Sequence, residues 1–179
     1  MRFALALLLG VVLAGCQLRP VRDEDSPYFN VPVGSQLILN QRLVITEDDD
    51  QMRFQGGAIA PHRWSNLRSK YEPNCVLYMR RGGDYNHIIQ PDTFDIYRVV
   101  QVDHFERNRW PLYASRGTEL AFGGIPTEFA TILFLRSTRQ PAVDKMACKH
   151  YQEAYGGKFL SISEMRQALG AIFSLKIAP

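Results

Sequence analysis

The sequence predicts an α+β protein: a mainly antiparallel, β-rich domain, sandwich or barrel-like, covered by two C-terminal helices. Three observations carry this expectation. Between Val33 and Leu135 the chain runs in short apolar stretches rich in β-branched and aromatic residues, separated by turn formers. After Gln140-Pro141 the composition shifts to helix formers, and Ser161-Ile162-Ser163-Glu164 fits a capping box ahead of an apolar stripe. Strands first and helices last is the order of an α+β fold, with the helices gathered on one side of the sheet.

The first residues read as an address. One positive charge, Arg2, precedes an apolar run from Phe3 to Leu13 broken only by Gly10, which is the charged head and apolar body of an export signal. The run is shorter than the roughly 20 residues a helix needs to cross a bilayer. Leu13-Ala14-Gly15-Cys16 resembles the lipobox of bacterial lipoproteins. That resemblance implies cleavage before Cys16, a diacylglyceryl group on its thiol and an acyl chain on the new amino terminus, so Cys16 is the expected lipidation site. Each buried methylene contributes about 0.8 kcal/mol, and two or more chains anchor durably. Gln17 follows in place of the aspartate that retains enteric lipoproteins in the inner membrane, which favours the outer membrane with the protein facing the periplasm.

Removing residues 1–15 from the 179 leaves 164, the length of one domain with a real core. The expected organisation is signal 1–15, lipidated cysteine and tether 16–32, and a single periplasmic domain 33–179. The tether reading rests on Pro20, Pro27, Pro32 and the charged run Arg22-Asp23-Glu24-Asp25. Without Arg2 the chain has 20 Lys+Arg against 18 Asp+Glu, a balance that gives no reason to seek nucleic acid.

Within the domain, strands are expected at Gln36–Asn40, Arg42–Thr46 and Gln51–Gln55, with Asp48-Asp49-Asp50 as a solvated turn lacking the pattern of a calcium loop. Gly56-Gly57 ends that group, and a long loop holding Trp64 runs on to Lys70. Asn74–Arg80 returns to strand, and Arg81-Gly82-Gly83-Asp84 is expected to turn it into a hairpin with His87–Gln90. Thr93–Phe105 is the most persuasive strand, with a bulge expected near Val99-Val100. Leu112–Ala114, Glu119–Phe122 and Glu128–Leu135 follow, the last strongly apolar and expected at the centre. Val143, Met146, Ala147, His150 and Ala154 lie at helical spacing, so a helix is expected over Val143–Tyr155, ended by Gly156-Gly157. The second helix is expected over 162–170, with Met165, Ala168, Leu169, Ile172 and Phe173 on one stripe.

With Cys16 committed to lipid, Cys75 and Cys148 remain, and two thiols in an oxidising compartment usually pair. A Cys75–Cys148 disulfide is expected, closing a loop of about 70 residues, contributing roughly 4 kcal/mol and stapling the first helix to the sheet. The alternative is two free thiols; a redox pair would want a Cys-x-x-Cys spacing.

The spacing of Val33-Gly34-Ser35 before Leu37 and Leu39, Gln55-Gly56-Gly57, Tyr71-Glu72-Pro73-Asn74-Cys75, Ile89-Gln90-Pro91-Asp92-Thr93-Phe94 and Met165-Arg166-Gln167-Ala168-Leu169-Gly170 resembles a group of uncharacterised proteobacterial lipoproteins. The resemblance covers most of the mature chain and implies the same address and disulfide; it brings no activity and no site residues.

Catalytic chemistry leaves little trace. Ser115 is outside any Gly-x-Ser-x-Gly elbow, and Ser161 and Ser163 are better used as helix caps. His62, His87, His104 and His150 are scattered, with no metal-binding pair, and His150 is expected on a helix surface. The glycine doublets lack the context of a phosphate loop, and no cofactor is expected. Trp64, Trp110, Tyr85, Tyr97 and Tyr113 are candidates for a stacking surface, and Trp64, Tyr85 and Trp110 are singled out as a candidate partner-binding surface. The sequence thus points to a non-catalytic envelope lipoprotein, anchored in the bilayer through Cys16 and contacting an envelope protein or peptidoglycan. The competing expectation is a periplasmic hydrolase or small-ligand carrier whose site assembles only in three dimensions.

Overall fold

A computed structural model of the chain describes residues 23–45, 50–61, 70–80, 87–105, 126–153 and 155–179. Among the described residues the strands are β1 (Gln36–Leu39), β2 (Leu43–Ile45), β3 (Gln51–Gln55), β4 (Ala58–Ala60), β5 (Asn74–Met79), β6 (His87–Ile89), β7 (Asp92–Phe105), β8 (Pro126–Arg136), β9 (Val143–Glu153) and β10 (Phe173–Lys176), with one helix, α1 (Ile162–Leu169). Eight strands form one sheet in the order β10-β1-β7-β8-β9-β5-β3-β4, and β2 pairs with β6 in a separate ribbon. Every pairing is antiparallel. The mainly antiparallel architecture is therefore as expected, and the sheet curls into a half-barrel.

Only one of the two expected helices is found among the described residues. Val143–Glu153 is strand β9, hydrogen-bonded to β8 on one side and β5 on the other. Its inward row, Met146, Cys148 and His150, is buried, and so are Ala147 and Tyr151 of its outward row. A strand with buried residues on both faces loses the alternation that marks a strand, and the remaining apolar positions imitate helical spacing.

The capping box at the helix is as expected. The Glu164 N–H donates to Ser161 Oγ at 3.3 Å and the Ser161 N–H donates to Glu164 Oε2 at 2.8 Å. Ile162, Met165, Ala168 and Leu169 are buried against β5, β3 and β10 in the concavity of the sheet. The helix stops at Gly170, whose positive φ of 57° suits glycine, so Phe173 belongs to β10 rather than to the helix stripe. The Phe173 ring meets Phe54 of β3 edge to face at 5.2 Å. Contact between β10 and β3, six places apart in the sheet order, shows how far the sheet closes.

Gly56 and Gly57, at φ 57° and 81°, form the tight turn joining β3 to β4. Two consecutive left-handed residues match the twist of a two-residue hairpin. Part of the expected Gly57–Lys70 loop is thus edge strand, while residues 62–69 lie outside the described residues. The expected hairpin between the fifth and sixth strands does not form: β5 pairs with β3 and β9, and β6 with β2. Since β5 is buried almost throughout, it needs hydrogen-bonding neighbours on both sides, which a three-residue strand could not supply. In β7 the register shifts between Ile96 and Arg98, placing the bulge at Tyr97, two residues before the expected position. The expected strands at 112–114 and 119–122 lie outside the described residues.

Residues 23–32, read from sequence as part of a tether, fold onto the domain. Phe29 and Val31 are in the main core. The Ile162 N–H donates to the Glu24 carbonyl at 3.0 Å, Arg166 pairs with the Glu24 carboxylate, and the Ser163 hydroxyl donates to Asp25.

Candidate functional site

Antiparallel register sets Cys75 of β5 directly opposite Cys148 of β9, with Cα atoms 4.0 Å apart, and the two sulfurs are bonded at 2.06 Å. Both residues are 0 % exposed, in a cross-strand row running Phe54, Cys75, Cys148, Thr131. The expected disulfide is present; because β9 is a strand, it ties strand to strand rather than helix to sheet. The expected lipidation site, Cys16, and the expected surface residues Trp64, Tyr85 and Trp110 lie outside the described residues.

The two histidines whose side chains are described, His104 and His150, do not converge. His150 is 4 % exposed, on the inner face of β9, with Nε2 2.7 Å from the Lys158 carbonyl oxygen; it is a core residue and not on a helix surface. His104 is exposed on β7, opposite Glu128, whereas His150 is opposite Phe129, the next residue of β8. Successive β8 residues face opposite sides, so the two imidazoles are on different faces of the sheet. No group of three or more metal-ligating side chains forms among the described residues.

A cleft of about 380 Å³ lies between the end of β9 and the N-terminus of α1, lined among others by Asp25, His150, Gln152, Lys158, Ser161 and Glu164. Its polar groups largely answer one another. The Ser161 hydroxyl donates to Glu164 Oε2 at 2.9 Å while accepting the Glu164 N–H, and Gln152 Oε1 accepts the Lys158 N–H at 2.9 Å. A second polar knot ties the start of β7 to the β8–β9 turn. Asp92 Oδ2 accepts from the Ser137 hydroxyl at 2.7 Å, Asp92 Oδ1 accepts the Thr93 N–H at 2.9 Å, and Gln140 bridges to Gln90 through two hydrogen bonds of 2.7 and 2.9 Å. Burial pushes the Asp92 carboxyl up; those donors and the Arg139 charge outweigh it and hold the group below its ordinary range.

The outer face of the sheet has a different character. Arg98 of β7, Phe134 of β8, Lys145 of β9 and Tyr78 of β5 are successive partners in register and form one row across four strands. The Arg98 guanidinium carbon is 4.9 Å from the centre of the Phe134 ring, and Lys145 Nζ is 5.2 Å from that of Tyr78. Beside the row, the bulge presents Tyr97, 40 % exposed, with its ring 6.2 Å from Phe134 and the Arg136 guanidinium 5.6 Å above it. Of these side chains only Tyr97 is a stacking candidate by sequence, since cross-strand register alone aligns the others.

Comparison of the chain with protein-family models, with curated proteins and with solved structures finds no match.

Proposed function

We propose that this chain is an exported lipoprotein, cut before Cys16, acylated there and held on a membrane facing the periplasm, the outer membrane being favoured by Gln17. Its β domain is a non-catalytic module that engages another envelope protein or peptidoglycan. The observation that carries the reading is the Cys75–Cys148 bond at the centre of the sheet. Disulfides persist in oxidising compartments and are rare in the cytosol. The N-terminal signal, the lipobox-like Leu13–Cys16 and the core disulfide are separate features that each favour this address.

The binding role is supported by how the polar groups are spent. Ser161 is engaged in capping, His150 in a backbone contact and Asp92 in a structural knot, while the outer face offers aromatic and cationic side chains to solvent. Because residues 23–32 fold onto the domain, only residues 17–22 separate Cys16 from it. Seven residue steps reach at most about 25 Å, which keeps the domain close to the bilayer.

Metabolic labelling with palmitate in native cells tests the anchor. The wild-type protein takes up label and fractionates with membranes, whereas Cys16→Ala stays unlabelled and soluble; label retained in Cys16→Ala refutes acylation at this residue. Crosslinking and mass spectrometry of the labelled protein then identify its partner, and no partner above the Cys16→Ala background refutes the binding role. A second reading, a small-ligand carrier or hydrolase, is favoured by the cleft at the α1 N-terminus. It requires a small molecule that raises the thermal midpoint of wild type and not of Gln152→Ala.

A further inference from the structure

We propose that the outer face of β7, β8, β9 and β5 is a docking strip for an acidic polysaccharide, a linear glycan carrying carboxylate or phosphate groups. The inference names a partner class for the binding module proposed above and rests on that reading.

Charge is the first argument. Two acidic side chains on this face are engaged by neighbours, Glu128 pairing with Lys149 at 3.0 Å and Asp95 accepting from the Gln36 amide at 3.2 Å, while Glu153 stands exposed at the far end of β9. Among the described residues no carboxylate lies within ion-pairing distance of Arg98, Arg136 or Lys145. Three cations share this patch against one adjacent carboxylate, Asp95, the cross-strand partner of Arg136, so the patch keeps a net positive field that favours a polyanion.

Geometry is the second. Arg98 and Lys145 flank Phe134 in one cross-strand row, so their backbones are about 10 Å apart, twice the spacing between neighbouring strands. Each long side chain is held over a ring, which removes rotamer freedom before a ligand arrives and lowers the entropy lost on binding. A guanidinium resting on a ring still has N–H donors for the paired oxygens of a carboxylate or phosphate. Anionic groups recurring along a flat, linear chain meet such a row without any pocket, and the apolar faces of sugar rings can pack on Tyr97.

A bilayer surface fits less well. The Phe134 and Tyr78 rings, which would have to enter the bilayer interface, are half-buried and covered by cations.

The test uses the full-length chain purified in detergent, with polygalacturonate oligomers as probe, neutral dextran as control, and vesicles of phosphatidylethanolamine and phosphatidylglycerol as competing surface. Wild type binds polygalacturonate and not dextran. Arg98→Gln and Lys145→Gln each weaken binding about tenfold, and the double variant about a hundredfold, with circular dichroism and the disulfide unchanged. Should the double variant fail to fold, Arg136→Gln, on an exposed side chain, supplies the same comparison. Unchanged affinity in the folded variants, equal binding to dextran, no binding to polygalacturonate, or binding to vesicles alone overturns the proposal. Palmitate labelling of the same preparation separates the two readings: a labelled protein that binds no acidic glycan sinks the strip and leaves the anchor standing.

Discussion

Replacing both cysteines, Cys75→Ala with Cys148→Ala, tests the tie that holds β5 to β9. The bond joins residues 73 positions apart. Closing a loop of that length removes unfolded-chain entropy worth about 4.4 kcal/mol at 25 °C on the loop-closure model. The two sulfurs are fully buried beside Phe54 and Thr131, so truncation to alanine also removes packing, adding about 1 kcal/mol. A domain of this size has about 5–15 kcal/mol in total, so the loss is a third of it or more. Urea unfolding followed by circular dichroism separates the two contributions. Wild type in excess dithiothreitol loses the crosslink alone, about 4 kcal/mol, and the double variant loses about 5 kcal/mol. If reduced and oxidised wild type unfold at the same urea concentration, the crosslink restrains nothing and the loop-closure argument fails.

Two further perturbations probe how the sheet closes and how it responds to acid. A Cβ on Gly170 would stand 2.3 Å from Gly57 Cα and 2.9 Å from the Gly57 carbonyl oxygen. With the strain of a left-handed φ and the 3.1 Å hydrogen bond from the Gly57 N–H to the Ala168 carbonyl at risk, Gly170→Ala should lose about 3 kcal/mol; a loss below about 1 kcal/mol in thermal melts refutes the close contact. The lowered pKa of Asp92 means that its contribution to stability is complete above the unfolded value of about 3.9 and is lost as pH falls through the folded value. Asp92→Asn should therefore be less stable than wild type by about 1–2 kcal/mol at neutral pH, with the gap shrinking below about pH 4; a gap independent of pH assigns the effect to shape rather than charge.

Some features were legible because they are local. Ser161 and Glu164 are three residues apart, and their reciprocal hydrogen bonds depend on nothing distant. The alternation around Phe94 and Ile96 marked β7, and the apolar run of β8 marked its central place in the sheet. The pairing of Cys75 with Cys148 was legible for a different reason: it follows from counting the thiols that remain once Cys16 is set aside, whatever the fold around them.

Other features had no local signature. Seen from the sequence alone, β9 carries helical spacing; it is a strand because β5 and β8 both need its backbone and because the core on one side and outer-face side chains on the other bury its two faces. Phe173 continues the apolar stripe of α1 until Gly170, pressed against Gly57, turns the chain into β10. Arg98, Phe134, Lys145 and Tyr78 come from four separate strands, and nothing in their spacing links them. By itself, then, the sequence determined the predominance of antiparallel strands, the capped helix and the thiol pair. Tertiary structure decided which strands are neighbours, and with that the identity of β9 and the alignment of cations and rings on the outer face, because strand register is set by pairing between distant segments.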